Sequence, residues 1–253
     1  MSEKEQYKQE ANEVAQSYNA FGKAYHESRT GKGRLFNEYL EVPATLALLN
    51  EDLAGKTLLD AGCGSGIYAT RLAQRGARVI GIDISETMIN IAKNEKPAEL
   101  DITYHLGNLY ETHLSENSID YIICNYVLEN IHNLSAVFNE YYRILKPQGE
   151  CLFSISHPLR AHAIKESKNN IDTWILENYY DKGERISDLG EGLKVKKYKR
   201  TISDYLNAGM TSGFLINHFA EPQPIPEGKV SDANAYEMAM RLPQLLLVKM
   251  IKL

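Results

Sequence analysis

The sequence predicts an α/β fold built on a largely parallel sheet, on three observations. Between Lys56 and Ser156, short apolar runs alternate with amphipathic segments at the spacing of βαβ units. The first of these runs ends in alternating glycines that lead straight into a helical segment. The string Lys146-Pro147-Gln148-Gly149 stops a helix and turns the chain into a further strand.

In chain order, residues 1–50 read as a helical leader in which Tyr18, Phe21 and Tyr25 are interleaved with polar residues. Strands are predicted at Thr57–Ala61, Arg78–Asp83, Ile102–Leu106, Ile119–Asn125 and 151–156, with helices at 67–75, 86–94 and 134–145. Beyond His157-Pro158 the chain is polar and lacks a clear period; residues of about 158–200 read as an insertion of the lid or substrate-binding kind. Two last strands, 213–220 and Leu245–Ile251, flank the proline-rich Glu221-Pro-Gln-Pro-Ile-Pro226, a rigid connection, and are expected to close the far edge of the sheet. The domain division is therefore a leader or cap, 1–50, and a main domain, 51–253, that carries the insertion.

With 253 residues, 43% hydrophobic and 24% charged, the chain has room for one core and an appended subdomain. No run approaches the roughly 18 apolar residues that span a bilayer, and Met1 to Glu10 is charged where a signal peptide is apolar. A cytoplasmic protein with no membrane partner is expected. Cys63, Cys124 and Cys151 lie in apolar runs or in the glycine loop, without zinc-site spacing; they are expected to be reduced and mostly buried, with no metal. The net charge of −5 opposes a nonspecific grip on nucleic acid, which needs a basic footprint. The expected partner is a small molecule, and the oligomeric state stays open.

Leu58-Leu59-Asp60-Ala61-Gly62-Cys63-Gly64-Ser65-Gly66 is a strand entering a glycine loop ahead of a helix. Such glycines let the backbone turn sharply and approach a ligand, and the helix start offers unpaired N–H donors. The spacing is G-x-G-x-G rather than the G-x-G-x-x-G of a dinucleotide site, and Asp60 would repel a pyrophosphate but suit a cationic head such as an ammonium. Val79-Ile80-Gly81-Ile82-Asp83 ends a second strand in a carboxylate, where nucleotide folds hold ribose hydroxyls. Ser85 is then an N-cap, with Met88 one turn in and placed to lie against an adenine.

These residues resemble the class I S-adenosylmethionine-dependent methyltransferases. Residues 58–66 look like the family's first motif, 81–85 its second, Gly107-Asn108-Leu109 its third, Ile119–Asn125 its fourth, and 145–149 the turn before strand five. The resemblance implies a Rossmann-like, seven-stranded, mostly parallel sheet with helices on both faces, a helical leader and an insertion after strand five. It implies S-adenosylmethionine as cofactor and S-adenosylhomocysteine as product. Ala61, Gly62, Cys63, Gly64 and Gly66 would surround the methionine portion, with Asp60 on its ammonium; Asp83 would take the ribose diol, and Ile84 and Met88 the adenine. Asn108, followed by Leu109, stands where many members have Asp and would accept from the adenine amino group. Asn125 and Tyr126 would edge the methyl donor, and Tyr18 and Tyr25 match a tyrosine-bearing leader that closes over the cofactor.

Methyl transfer from a sulfonium is an in-line displacement in which alignment and exclusion of water dominate and a base is optional. His157, at the carboxyl edge of the sheet after strand five and pinned by Pro158, is the first candidate base; His132 is the second. A turn-capping histidine is the competing reading for each. The basic run at 194–200 reads as the solvated face of a half-exposed strand, and Cys63 as a small buried filler. The fourth strand ends Asn125-Tyr126-Val127-Leu128, not in the Asn/Asp-Pro-Pro-aromatic string of enzymes that methylate exocyclic or side-chain amides. The expected reaction is transfer to an O or N atom of a small molecule. Two alternatives stay open: a noncatalytic, cofactor-binding regulatory relative, and a nicotinamide-dependent oxidoreductase, which the glycine spacing and Asp60 oppose.

Overall fold

The computed structural model describes residues 3–30, 35–168, 171–188 and 194–253. Residues 1–2 and 31–34 of the expected leader, and 169–170 and 189–193 of the expected insertion, lie outside the described residues. The leader forms α1 (Glu3–Thr30), a π-helical turn (Asn37–Glu41) and α2 (Val42–Ala47). Then follow β1 (Thr57–Ala61), α3 (Ile67–Ala73), β2 (Arg78–Asp83), α4 (Glu86–Glu95), β3 (Ile102–Leu106), β4 (Ile119–Asn125), a 3₁₀ turn (Leu128–Asn130), α5 (Leu134–Ile144) and β5 (Leu145–Ser156). The insertion is α6 (Pro158–His162) and two hairpins, β6 (Ala163–Lys168) with β7 (Ile171–Leu176), and β8 (Gly183–Asp188) with β9 (Lys194–Lys199). The chain ends with α7 (Ile202–Thr211), β10 (Leu215–Ala220), α8 (Gly228–Ser231), α9 (Ala233–Arg241) and β11 (Leu245–Ile251).

Seven strands form one sheet in the order β10-β11-β5-β4-β1-β2-β3. β1 pairs in parallel with β2 and β4, β2 with β3, and β4 with β5, while β11 and β10 add antiparallel at the far edge. The chain order reverses between β1 and β4, so the carboxyl ends of those two strands open a crevice, the usual ligand position in open α/β sheets. Both faces of the sheet are covered, which is why its strands read as continuous apolar runs. Leu59, Ile122, Phe153 and Val248 meet an aromatic layer of Phe138, Tyr141 and Phe214 on one face; Leu58, Ile123 and Leu152 meet Ala69 and Leu72 on the other. The three cysteines are free and buried.

The sequence misplaces two strand starts: β10 begins at Leu215 rather than 213, after a helix end in which Gly213 is left-handed (φ 101°). β5 begins at Leu145 rather than 151 because Leu145 pairs with Ile119 before the chain bulges; pairing resumes at Glu150 with Tyr121. The expected turn survives inside that bulge, where Gln148 is left-handed (φ 65°) and a Cβ on Gly149 would lie 2.8 Å from the Lys146 carbonyl oxygen. The insertion is ordered as two hairpins; the alternation at 194–200 falls on β9, while β6, β7 and β8 are missed, since an isolated two-stranded ribbon shows solvent to much of both faces. Helix α7 is also missed, although Thr201-Ile-Ser-Asp204 spells its capping box: Thr201 Oγ1 accepts from Asp204 N, and Asp204 Oδ2 from Thr201 N. Among the described residues no helix is long and apolar enough to cross a membrane.

Candidate active site

The loop after β1 is held by the strand beside it. Gly62 N and Cys63 N donate to Ile82 O (2.7 and 3.1 Å), and Gly64 N donates to Asp83 Oδ2 (2.9 Å). Gly62, Gly64 and Gly66 are all left-handed (φ 75°, 52° and 83°). A Cβ at Gly62 would meet Val127 Cγ2 at 2.3 Å, so only glycine lets the β1 and β4 loops approach. Asp60 Oδ2 accepts from Ala69 N (3.0 Å), tying the end of β1 to α3. Asp83 Oδ1 accepts from Ser85 N (2.8 Å), and Ser85 caps α4 by accepting from Met88 N. Burial pushes the Asp60 carboxyl up to about 7, with the Asp83 charge adding to the rise and the Ala69 N–H opposing it. Burial also lifts Asp83, against the N–H groups of Ser85, Gly64 and Ile84.

A cavity lies over these loops. Its floor is Asp60 and Gly62 to Ser65; Ile82 to Ile84 and Met88 form one wall, Gly107 to Tyr110 the next, and Asn125 to Val127 with Asn130 and Ile131 the third. Helix α1 roofs it with Glu10, Ala11, Val14, Tyr18, Tyr25 and Arg29. The roof is strapped down: Asn19 Oδ1 accepts from Ser85 Oγ (2.8 Å) and Thr87 N (3.2 Å), Tyr7 stacks on Tyr110 (4.5 Å), and Tyr7 Oη accepts from Asn133 Nδ2 (2.6 Å).

Every cofactor-contact residue expected from the sequence lines this cavity except Ala61 and Gly66. Ala61 points into the core, and Gly66, the N-cap of α3, is a packing glycine whose Cβ would meet Tyr104 Oη at 2.2 Å. Asn108 is turned from its expected part. Its Oδ1 accepts from Tyr110 N (3.0 Å) and Glu111 N (3.1 Å), so both lone pairs of the oxygen serve the turn and its amide NH₂ is what remains to offer a ligand.

Arg29 was not singled out from the sequence. It sits one turn after Tyr25 on the same face of α1, and that spacing was the available signal. Its Nε and Nη2 are buried without a hydrogen-bond partner, as are both amide atoms of Asn125. An orphaned guanidinium in the roof and an orphaned amide in the wall, together with the buried Asp60 carboxylate in the floor, suit a ligand that carries a carboxylate and an ammonium together.

Neither histidine lines the cavity. The His157 side chain is fully buried; its Nδ1 accepts from Leu159 N (3.2 Å), so Nε2 carries the proton and donates to Glu221 Oε1 (2.7 Å). Burial holds His157 below its ordinary value, and both ring nitrogens are engaged, Nδ1 capping α6 and Nε2 joining it to the proline-rich connection after β10. His132 is 42% exposed, faces Glu10 (3.2 Å) and packs on Tyr198 beside a separate surface cleft. The basic run at 194–200 is not a solvated face. Lys197 is buried against Glu129 (2.5 Å), Lys196 pairs with Glu13, Lys199 with Asp181, and Arg200 donates to the carbonyls of Leu128, Ile131 and His132. Among the described residues no three His, Cys, Asp or Glu side chains gather to hold a metal ion.

Comparison with known proteins gives the geometry a lineage. The profile of a methyltransferase domain matches residues 59–153. The crystal structure of an S-adenosylmethionine-dependent methyltransferase from Mesorhizobium loti is 31% identical and superposes with a TM-score of 0.75, covering 84% of this chain and 97% of that one. A ubiquinone biosynthesis O-methyltransferase from Pseudomonas entomophila is 37% identical over 106 residues, 40% of this chain and 45% of that protein, so the chain spans less than half of that relative's length. Geranyl diphosphate C-methyltransferase from Streptomyces coelicolor, crystallised with S-adenosyl-L-homocysteine, shares the fold at 17% identity and a TM-score of 0.59, over 84% of this chain and 79% of that one.

Proposed function

This chain belongs to the class I S-adenosylmethionine-dependent methyltransferases, and we propose that it methylates an O or N atom of a small molecule. S-adenosylmethionine, when bound, supplies a methyl group on a sulfonium that leaves as a neutral thioether. The chain's part is to bind, align and keep water out.

In this reading Arg29 and Asn125 take the carboxylate of the amino-acid end and Asp60 takes its ammonium, which gives the orphaned Arg29 and Asn125 atoms their partners. Asp83, already held by Gly64 N and Ser85 N, offers its remaining lone pairs to the ribose diol. Ile84 and Met88 pack on the adenine, and Asn108 reads the ring as a donor through its amide NH₂. Helix α1 closes the cavity, so acceptor and donor meet in a dry space beside Asn125 and Tyr126. Burial keeps the Tyr18 and Tyr126 hydroxyls protonated. The acceptor would therefore present its own lone pair, as a neutral amine or a ready phenolate, and take the methyl as the sulfonium leaves as a neutral thioether; an amine would then lose its proton to solvent on release from the cavity.

The observation that carries this reading is the cavity itself, with two buried carboxylates facing unpartnered cationic and amide groups at the reversal of strand order. Calorimetric titration of the protein with S-adenosylhomocysteine, with NAD as control, tests it. Micromolar binding of the first alone is expected; binding of NAD instead would overturn it. A labelled-methyl survey of small O- and N-acceptors then tests the substrate class, and transfer confined to protein or nucleic acid would reject it.

A further inference from the structure

We propose that the insertion carries an oxyanion-binding site, formed by Arg160, Arg185 and Trp174, that takes the carboxylate or phosphate group of the methyl acceptor. The proposal rests on the small-molecule reading above and names the class of that molecule.

Three elements bring donors together. Arg160 of α6 lies over the Trp174 ring of β7, its Cζ 5.8 Å from the ring centre. Arg185 of β8 reaches α6 and donates from Nη1 to Ala161 O at 2.5 Å. Its Nε, and the indole Nε1 of Trp174, are shielded from solvent and have no hydrogen-bond partner. Among the described residues the Arg160 side chain has no ion pair or hydrogen bond.

The charges do not balance locally. Arg185 lies in the field of Glu129, whose oxygens already serve Lys197 Nζ and Ser156 N. Burial and the neighbouring Arg185 charge together hold the Arg160 guanidinium below its ordinary value. The Arg160 and Arg185 charges repel, and a shielded indole N–H without an acceptor is costly; one oxyanion relieves both, since guanidinium forks match carboxylate and phosphate geometry.

The position suits an acceptor. Arg160 sits in α6, the helix that follows the carboxyl end of β5, and Arg185 feels Glu129, whose neighbour Asn130 lines the cofactor cavity. The 3₁₀ turn Leu128–Asn130 thus stands between the oxyanion group and the methyl donor. Arg160 and Trp174 are half-buried, which leaves a way in from solvent.

Trp174 is the one tryptophan of the chain, so its fluorescence reports this site alone. The full-length protein, saturated with S-adenosylhomocysteine, is titrated with inorganic phosphate and separately with acetate, each against sodium chloride at equal ionic strength. A saturable fluorescence change with phosphate or acetate, absent with chloride, is expected; phosphate alone points to a phosphate ester as acceptor, acetate alone to a carboxylic acid. Arg160→Gln, which removes no hydrogen bond, is expected to weaken the response at least tenfold, and Arg185→Lys to weaken it while keeping the charge. A response equal to that of chloride, or one unmoved by both substitutions, overturns the site. Calorimetry on the same samples separates the two readings: normal S-adenosylhomocysteine binding without an oxyanion response rejects only this inference, whereas failure to bind it rejects the cofactor reading beneath.

Discussion

Asp60 joins strand to helix through Ala69 N and also faces the cavity, and burial makes those duties sensitive to pH. With its carboxyl near 7, a proton must leave before an ammonium can pair with it. Affinity for S-adenosylhomocysteine is therefore expected to be full above about pH 7 and to fall about tenfold per pH unit below it, a slope that Asp60→Asn removes; calorimetry across pH reads it. For stability of the free protein the sign reverses. A raised carboxyl contributes most below about pH 4, and that contribution is lost as pH rises through about 7. Asp83→Ala is expected to weaken the same ligand at least tenfold, about 1.4 kcal/mol; an unchanged dissociation constant in the folded variant removes the ribose assignment. His157→Ala is expected to lower stability to denaturant by about 2 kcal/mol, from a lost buried ring and the two bonds it makes, with ligand affinity unchanged. A selective fall in turnover with no change in stability would return His157 to the chemistry. At this scale Asp60, Asp83 and the glycines were legible because their constraint is local. The partners of Asn108, His157 and Arg29 were not: the Tyr110 and Glu111 amides, Glu221 sixty-four residues away, and a cavity wall are set by the fold.

Among elements, the insertion is fastened to the sheet domain by a buried ion pair, Lys197 of β9 with Glu129 of the 3₁₀ turn. Lys197, together with Ser156 N, holds the Glu129 carboxyl below its ordinary range although burial alone would raise it. Lys197→Met leaves that carboxylate buried and unpaired, and an equilibrium unfolding measurement is expected to show a loss of about 3–5 kcal/mol, partly recovered by adding Glu129→Gln. Full stability in the single variant would mean the hairpin is not anchored there. Strands buried on both faces, such as β1, β2, β4 and β11, were legible to the residue from continuous apolar runs. β9 was legible as a half-exposed strand from its alternation, but β6, β7 and β8 were not, because they take their order from their hairpin partners and from α6.

For the molecule as a whole, roof and floor of the cavity come from distant parts of the chain, α1 against the loops after β1 to β4, so a ligand that fills it bridges them. S-adenosylhomocysteine at one hundred times its dissociation constant is expected to add about 2.7 kcal/mol to stability, seen as a raised melting temperature that NAD does not produce. No shift at saturating ligand would mean that the cavity does not close over it. The sequence by itself determined the class of fold, the glycine loop with its two acids and the family, because each rests on neighbours within one strand-turn-helix unit. Tertiary structure alone decided that Arg29 roofs the cavity, that both histidines lie off it, that Lys197 is buried, and that Arg160 and Arg185 come within each other's field. Those are contacts between residues far apart in the chain, and no local pattern encodes a distance that only packing creates.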